Sequence, residues 1–196
     1  MKDAVSTPDN LICPAQDIFD SAAVDARLTE ALGAAGSDGM AIRKAVVSVL
    51  SQALGHGRQA IADAFGKNPF AARATVQSYS WLTDCVILTA LDVAIRHMHP
   101  LATPTDSERI SVFAVGGYGR GEMAPQSDVD LLFLTPYKIT PWAESVIESM
   151  LYILWDLKLK VGHASRTIRD CLRLGGEDYT IRTALLENRY LAGDRQ

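Results

Sequence analysis

Two carboxylates two residues apart at the start of an apolar run constrain this chain more than any other feature. They lie in the stretch Ser111 to Leu134. Val112 to Val115 reads as a buried strand. A glycine-rich turn follows with Gly116, Gly117, Gly119 and Gly121, and Asp128 and Asp130 then open a second apolar run ending at Leu134. Side chains alternate along a strand, so Asp128 and Asp130 share a face, their Cα atoms roughly 6.5–7 Å apart. Val129 and Leu131 face the core. Like charges on adjacent same-face positions cost stability unless a cation or hydrogen-bond donors neutralise them. One divalent cation, or two about 3.5–4 Å apart, would do so. Oxygen-only ligands favour Mg2+ (or Mn2+) over zinc.

The glycines fit the same chemistry. Without a Cβ the backbone takes positive φ and comes close to a phosphate, and successive amides cradle an anion. Gly116 and Gly117 end the first strand, where such a loop is useful, and Arg120 is placed to add a charge-assisted contact. The stretch is not a P-loop, because no Gly-Lys-Ser/Thr follows. It is not the dinucleotide fingerprint either, because Glu122 stands where the third glycine belongs. The pattern points to a metal-bound triphosphate.

These residues carry a resemblance. The run Gly116-Gly117-Tyr118-Gly119-Arg120-Gly121-Glu122-Met123, continued by Pro125 and Ser127-Asp128-Val129-Asp130-Leu131-Leu132, resembles the nucleotidyltransferase superfamily of DNA polymerase β. More narrowly it is similar to the bacterial PII uridylyltransferase/uridylyl-removing family. Two further segments support the narrower match: Leu154-Trp155-Asp156 with Val161-Gly162-His163-Ala164-Ser165-Arg166-Thr167, and Leu185 to Arg189 with Ala192-Gly193-Asp194. The resemblance implies UTP as donor, Asp128 and Asp130 as catalytic metal ligands, and transfer of UMP to a tyrosine of the PII signalling protein with loss of pyrophosphate. The nucleotide-binding set is then expected to be Gly116, Gly117, Arg120 and Ser127.

The chain also departs from that family. The superfamily usually adds a third carboxylate from a neighbouring strand. The strand expected at Leu157 to Ala164 carries no acid, only Lys158 and Lys160. Glu122, Asp156, Asp170, Asp178 and Glu187 are weak substitutes, and His163 is either a ligand contact or a structural residue. The family's hydrolase domain has a His-Asp pair, and no such dipeptide occurs here. The expectation is a transferase part without hydrolase or glutamine-sensing domains, active weakly or not at all by itself. Two other readings remain open: an adenylyltransferase or small-molecule nucleotidyltransferase of the same fold, and a catalytically weak, partner-binding module.

Net charge is −4 over 196 residues, which disfavours a nucleic-acid partner. The three cysteines are far apart and form no Cys-x-x-Cys, which fits a reducing cytoplasm. The apolar helix around Ile87 is interrupted by Asp84 and Asp92, so no membrane span is expected. His56, His97 and His99 read as surface or packing residues.

The expected class is α+β, with a small mixed sheet of polymerase β type after an N-terminal helical segment. Residues 1–37 read as a loose leader with one short helix near Val24 to Leu32, 38–105 as the helical segment, and 106–196 as the nucleotidyltransferase domain. Within 38–105 the glycines at 55 and 57 suggest a break between two helices, and Asn68-Pro69 reads as the cap of a third. Thr140-Pro141 starts a later helix, and Thr167 with Asp170 resembles a capping box.

Overall fold

Caps set many of the helix boundaries. The computed structural model describes residues 7–103 and 105–195. A single turn, α1 (Ala15–Ile18), precedes α2 (Ser21–Ala35), whose cap Asp20 accepts from the Ala23 amide. Asp38 caps α3 (Gly39–Lys67) through the Met40 amide. Next comes α4 (Ala72–Val93), which runs into a π-helical turn at Ala94–Met98. The strand β1 (Ser111–Ala114), the short helix α5 (Gly116–Gly119) and the strand β2 (Val129–Thr135) carry the motif. Thr140 caps α6 (Pro141–Asp156), with Pro141 in its first turn. The chain then forms β3 (Val161–Thr167), α7 (Ile168–Glu177), α8 (Tyr179–Leu186) and β4 (Arg189–Gly193).

The four strands form one mixed sheet in the order β3-β2-β1-β4. The pairings β1 with β2 and β1 with β4 are antiparallel, and β2 with β3 is parallel. The α6 crossover supplies the long connection that a parallel pair needs. Val112, Ala114, Val129, Leu131 and Phe133 join the apolar side chains of α3, α4 and α6 in one core. The architecture is α+β, as expected, and is consistent with a nucleotidyltransferase-like fold.

Helix α4 is the centre of that core. It is buried nearly all round from Ser78 to Ile87. Its hydroxyls are satisfied within the helix: Ser78, Ser80 and Thr83 donate to the carbonyls of Ala74, Val76 and Tyr79. The stretch Ala72–Met98 is long and apolar enough to cross a membrane by composition, but 78% of its apolar window is buried against the rest of the chain. Tyr79, Trp81 and Asp84 are all interior residues.

Several expectations are corrected. The described part of the leader is not loose: Ile18, Phe19, Val24 and Leu28 pack into the core from α1, the link after it and α2. The two helices expected between 38 and 66 are the single helix α3, which passes through Gly55 and Gly57. Gly57 is buried for packing reasons, since a Cβ there would lie 2.3 Å from the Ile18 carbonyl oxygen. Asn68 ends α3 instead of starting the next helix, and α4 begins at Ala72. The strand expected at Leu157 to Ala164 starts only at Val161. Leu157 and Leu159 are buried in the turn before it, where Lys158 adopts φ 61°. The pairing of β4 with β1 was not anticipated.

Candidate active site

Asp130 is the second residue of β2, and Asp128 lies just before the strand. Asp128 is exposed and Asp130 half-buried. Burial, and then the neighbouring Asp128 charge, push the Asp130 carboxyl above its ordinary range. Neither carboxylate has an ion-pair partner among the described residues. Two neighbouring acids with no ion-pair partner among the described residues make a site that a hard divalent cation would relieve.

The backbone around Asp130 leaves room for its carboxylate. In the parallel register Asp130 lies beside Gly162 of β3. A Cβ on Gly162 would sit 2.4 Å from Asp130 Oδ1. On the other side Gly116 opens the turn at φ 61°, with its Cβ direction 3.6 Å from Asp130 Oδ2. The Val115 amide donates to the Asp130 carbonyl at 3.0 Å and joins the start of the turn to β2. The structure thus brings Gly116 to Asp130. Gly162 stands inside a strand, and a glycine there is the sequence signal for a close approach.

The turn folds as α5. Amides of Gly119, Arg120, Gly121 and Glu122 donate to the carbonyls of Val115, Gly116, Tyr118 and Gly117. The amides of Gly116 and Gly117 take no part in that ladder. Arg120 lies beside Gly117, its guanidinium 3.7 Å from the Gly117 Cβ direction. It is half-exposed and held by two carboxylates, Glu122 at 3.0 Å and Glu187 at 2.6 Å. Ser127 accepts from the Ala124 amide at 2.9 Å and closes the turn that delivers Asp128.

Among the described residues no third carboxylate joins the pair, and no group of three metal-capable side chains forms. On β3 the face shared with Asp130 carries Gly162, Ala164 and Arg166. The other acids have local roles. Asp156 pairs with Arg43 at 2.8 Å, Asp170 completes the capping box with Thr167, and Asp178 caps α8. Two carboxylates with water and substrate phosphate oxygens suit Mg2+, which seldom has an all-protein cage. His163 pairs in register with Leu131, one residue past Asp130, and lies near Trp155 with ring centroids 6.5 Å apart. A cleft of about 800 Å³ lies elsewhere, between α2, α4 and β4, and shares no lining residue with the Asp128–Asp130 site.

Beneath the turn is a charge network that local sequence reading missed. Tyr118 is 1% exposed. Its hydroxyl donates to Asp84 Oδ1 at 2.7 Å. Arg189 grips Asp84 in a fork, at 2.7 and 3.0 Å, and also donates to the Tyr118 carbonyl at 3.2 Å. Burial raises the Asp84 carboxyl, opposed by Arg189 and by the Tyr118 hydroxyl. Burial and Asp84 hold the Tyr118 hydroxyl well above its ordinary value, so it stays a donor.

Comparison with known proteins adds a second line. Residues 9–158 match the family model described as glutamate-ammonia ligase adenylyltransferase. The chain is 64% identical over 176 residues to a bifunctional uridylyltransferase/uridylyl-removing enzyme of Ruegeria pomeroyi, covering 90% of this chain and 19% of the relative. Similar proteins of the same name occur in Cereibacter sphaeroides (56% over 184 residues, 93% of this chain and 20% of the relative) and Caulobacter vibrioides (49% over 182 residues, 92% and 19%). The chain spans about a fifth of the length of the curated relatives it matches.

Proposed function

The chain belongs to the glutamate-ammonia ligase adenylyltransferase family, alongside relatives named bifunctional uridylyltransferase/uridylyl-removing enzyme, and on that premise we propose that it transfers UMP from UTP to a tyrosine of the PII nitrogen-regulatory protein. The observation that carries this reading is the unpaired Asp128–Asp130 couple under the glycine turn, with Gly162 and Gly116 clearing the space around Asp130. Asp128 and Asp130 would hold Mg2+ or Mn2+. A bound divalent cation supplies Lewis-acid polarisation and steadies the attacking and leaving oxygens. Gly116 and Gly117 let the triphosphate approach the backbone, and Ser127 keeps Asp128 in place. Arg120 can turn from Glu122 and Glu187 to a phosphate, exchanging one charge-assisted contact for another. A tyrosine hydroxyl attacks the α-phosphorus and pyrophosphate leaves; positioning and charge stabilisation supply most of the acceleration in such transfers.

The net charge of −4 disfavours a nucleic acid as acceptor. A protein substrate of this kind places the reaction in the bacterial cytoplasm. A second reading, AMP transfer from ATP, is favoured by one observation: the matching family model is described as an adenylyltransferase. Four α-labelled nucleoside triphosphates, each with Mg2+ and with or without PII protein, separate the two. The expected result is label from UTP retained on PII, weak or absent when the 196-residue chain acts alone, with a UMP-sized addition on tyrosine by mass spectrometry that a Tyr→Phe acceptor lacks. Preference for ATP would support the second reading. Label on a nucleic acid or a small molecule would overturn both.

A further inference from the structure

The glycine turn cannot hold its own shape. Helix α5 spans four residues, and a single turn is unstable without outside contacts. Its contacts come from far away in the chain. Tyr118 reaches Asp84, 34 positions earlier on α4, and is reached by Arg189, 71 positions later at the start of β4. The segment before β4 presses on the same turn, since a Cβ on Gly119 would lie 1.9 Å from the Glu187 carbonyl oxygen. Glu187 also braces Arg120 from the side at 2.6 Å.

We propose that Asp84 and Arg189 are positioning residues for nucleotide transfer: through Tyr118 they fix the Gly116–Gly121 turn against Asp130. The proposal rests on the reading of that turn as the triphosphate site. Stability alone is a poor reason for this network. Taking a carboxylate and a guanidinium out of water is costly, and well-packed apolar residues often serve stability as well or better. What a forked ion pair adds is fixed geometry. Asp84 is 4% exposed and accepts from both Tyr118 and Arg189, so its oxygens are committed in direction. Arg189 in turn holds the Tyr118 carbonyl, and its guanidinium lies 5.4 Å from the centre of the Tyr118 ring. Tyr118 is thereby held at both ends, at its hydroxyl and at its backbone. Gly116 and Gly117 precede it directly, so their placement beside Asp130 follows from the placement of Tyr118.

Tyr118→Phe tests this by removing one hydroxyl, and Arg189→Lys by keeping the charge without the fork. Three readouts are needed: denaturant unfolding, amide hydrogen exchange, and affinity for UTP with Mg2+ by calorimetry. The amides to follow are those of Gly119, Arg120, Gly121 and Glu122, with the α6 amides as the internal reference. Both variants should speed exchange in the turn at least tenfold more than in α6, and weaken Mg2+–UTP binding about tenfold. Equal acceleration throughout the molecule would mean plain destabilisation and would overturn the proposal. So would a looser turn with unchanged affinity, or a turn that exchanges as in the wild type. If one variant does not fold, the other is read in the same way. Wild-type protein that binds no UTP would overturn the functional reading by itself, because the exchange comparison needs no nucleotide.

Discussion

Asp130 and Gly162 show how one residue's chemistry depends on another's lack of a side chain. A Cβ at position 162 would fall 2.4 Å from Asp130 Oδ1, and that oxygen is the free end of a side chain that can swing aside. Gly162→Ala should therefore cost about 1 kcal/mol of stability or less, yet displace the carboxylate and weaken Mg2+-dependent UTP binding at least tenfold. Denaturant midpoint and calorimetry on the same sample check both halves. A second prediction concerns pH. The Asp130 carboxyl is raised by burial and by Asp128, so the folded state holds its proton more tightly than the unfolded chain. Its contribution to stability is then full below the unfolded value and is lost as pH rises through the raised folded value. Asp130→Asn should flatten that decline just above the ordinary aspartate range. At neutral pH Mg2+ should raise the Tm of the wild type and leave that of Asp130→Asn unchanged, as thermal unfolding with and without chelator would show.

At the scale of elements, α3 illustrates a glycine read for the wrong reason. Gly57 looked like a helix end, but it makes room for the Ile18 backbone and the Leu82 side chain. The Ile18 contact is with backbone, which cannot move aside cheaply. Gly57→Ala should cost on the order of 1–3 kcal/mol by overpacking, even though alanine favours helix, and a lowered denaturant midpoint would show it. What could be read in the sequence was whatever is locally encoded. The Thr140-Pro141 start of α6 and the Thr167–Asp170 capping box lie within four residues of their effects. The first two strands follow from short apolar runs, and the placing of Asp130 opposite Leu131 from the two-residue period of a strand. The rest depends on distant partners. Strand β4 is five residues long, has a mixed pattern, and forms by pairing with β1. Nothing near Asp84 indicates that its partner is Arg189, 105 positions away. The shift of β3 to Val161 has a similar origin: Leu157 and Leu159 alternate as a strand would, but they are buried in the turn that follows α6.

At the scale of the molecule, one apolar core behind the sheet supports a site where β1 ends and β2 begins, on the two central strands. The large cleft between α2, α4 and β4 is apart from it. On the proposed reading the chemistry lies at an open surface with two carboxylates beside the glycine turn, as would suit a substrate that brings its own negative charge and a cation with it. Under the proposed function Asp128 and Asp130 bind a divalent cation through which the nucleotide is held. Titration calorimetry of the 196-residue chain with UTP tests it most directly, in Mg2+, in excess chelator, and with Asp128→Asn and Asp130→Asn. The expected result is binding in Mg2+ that is lost in chelator and reduced at least tenfold in either variant, both still folded. Equal affinity in chelator, or wild-type affinity in both variants, would contradict it.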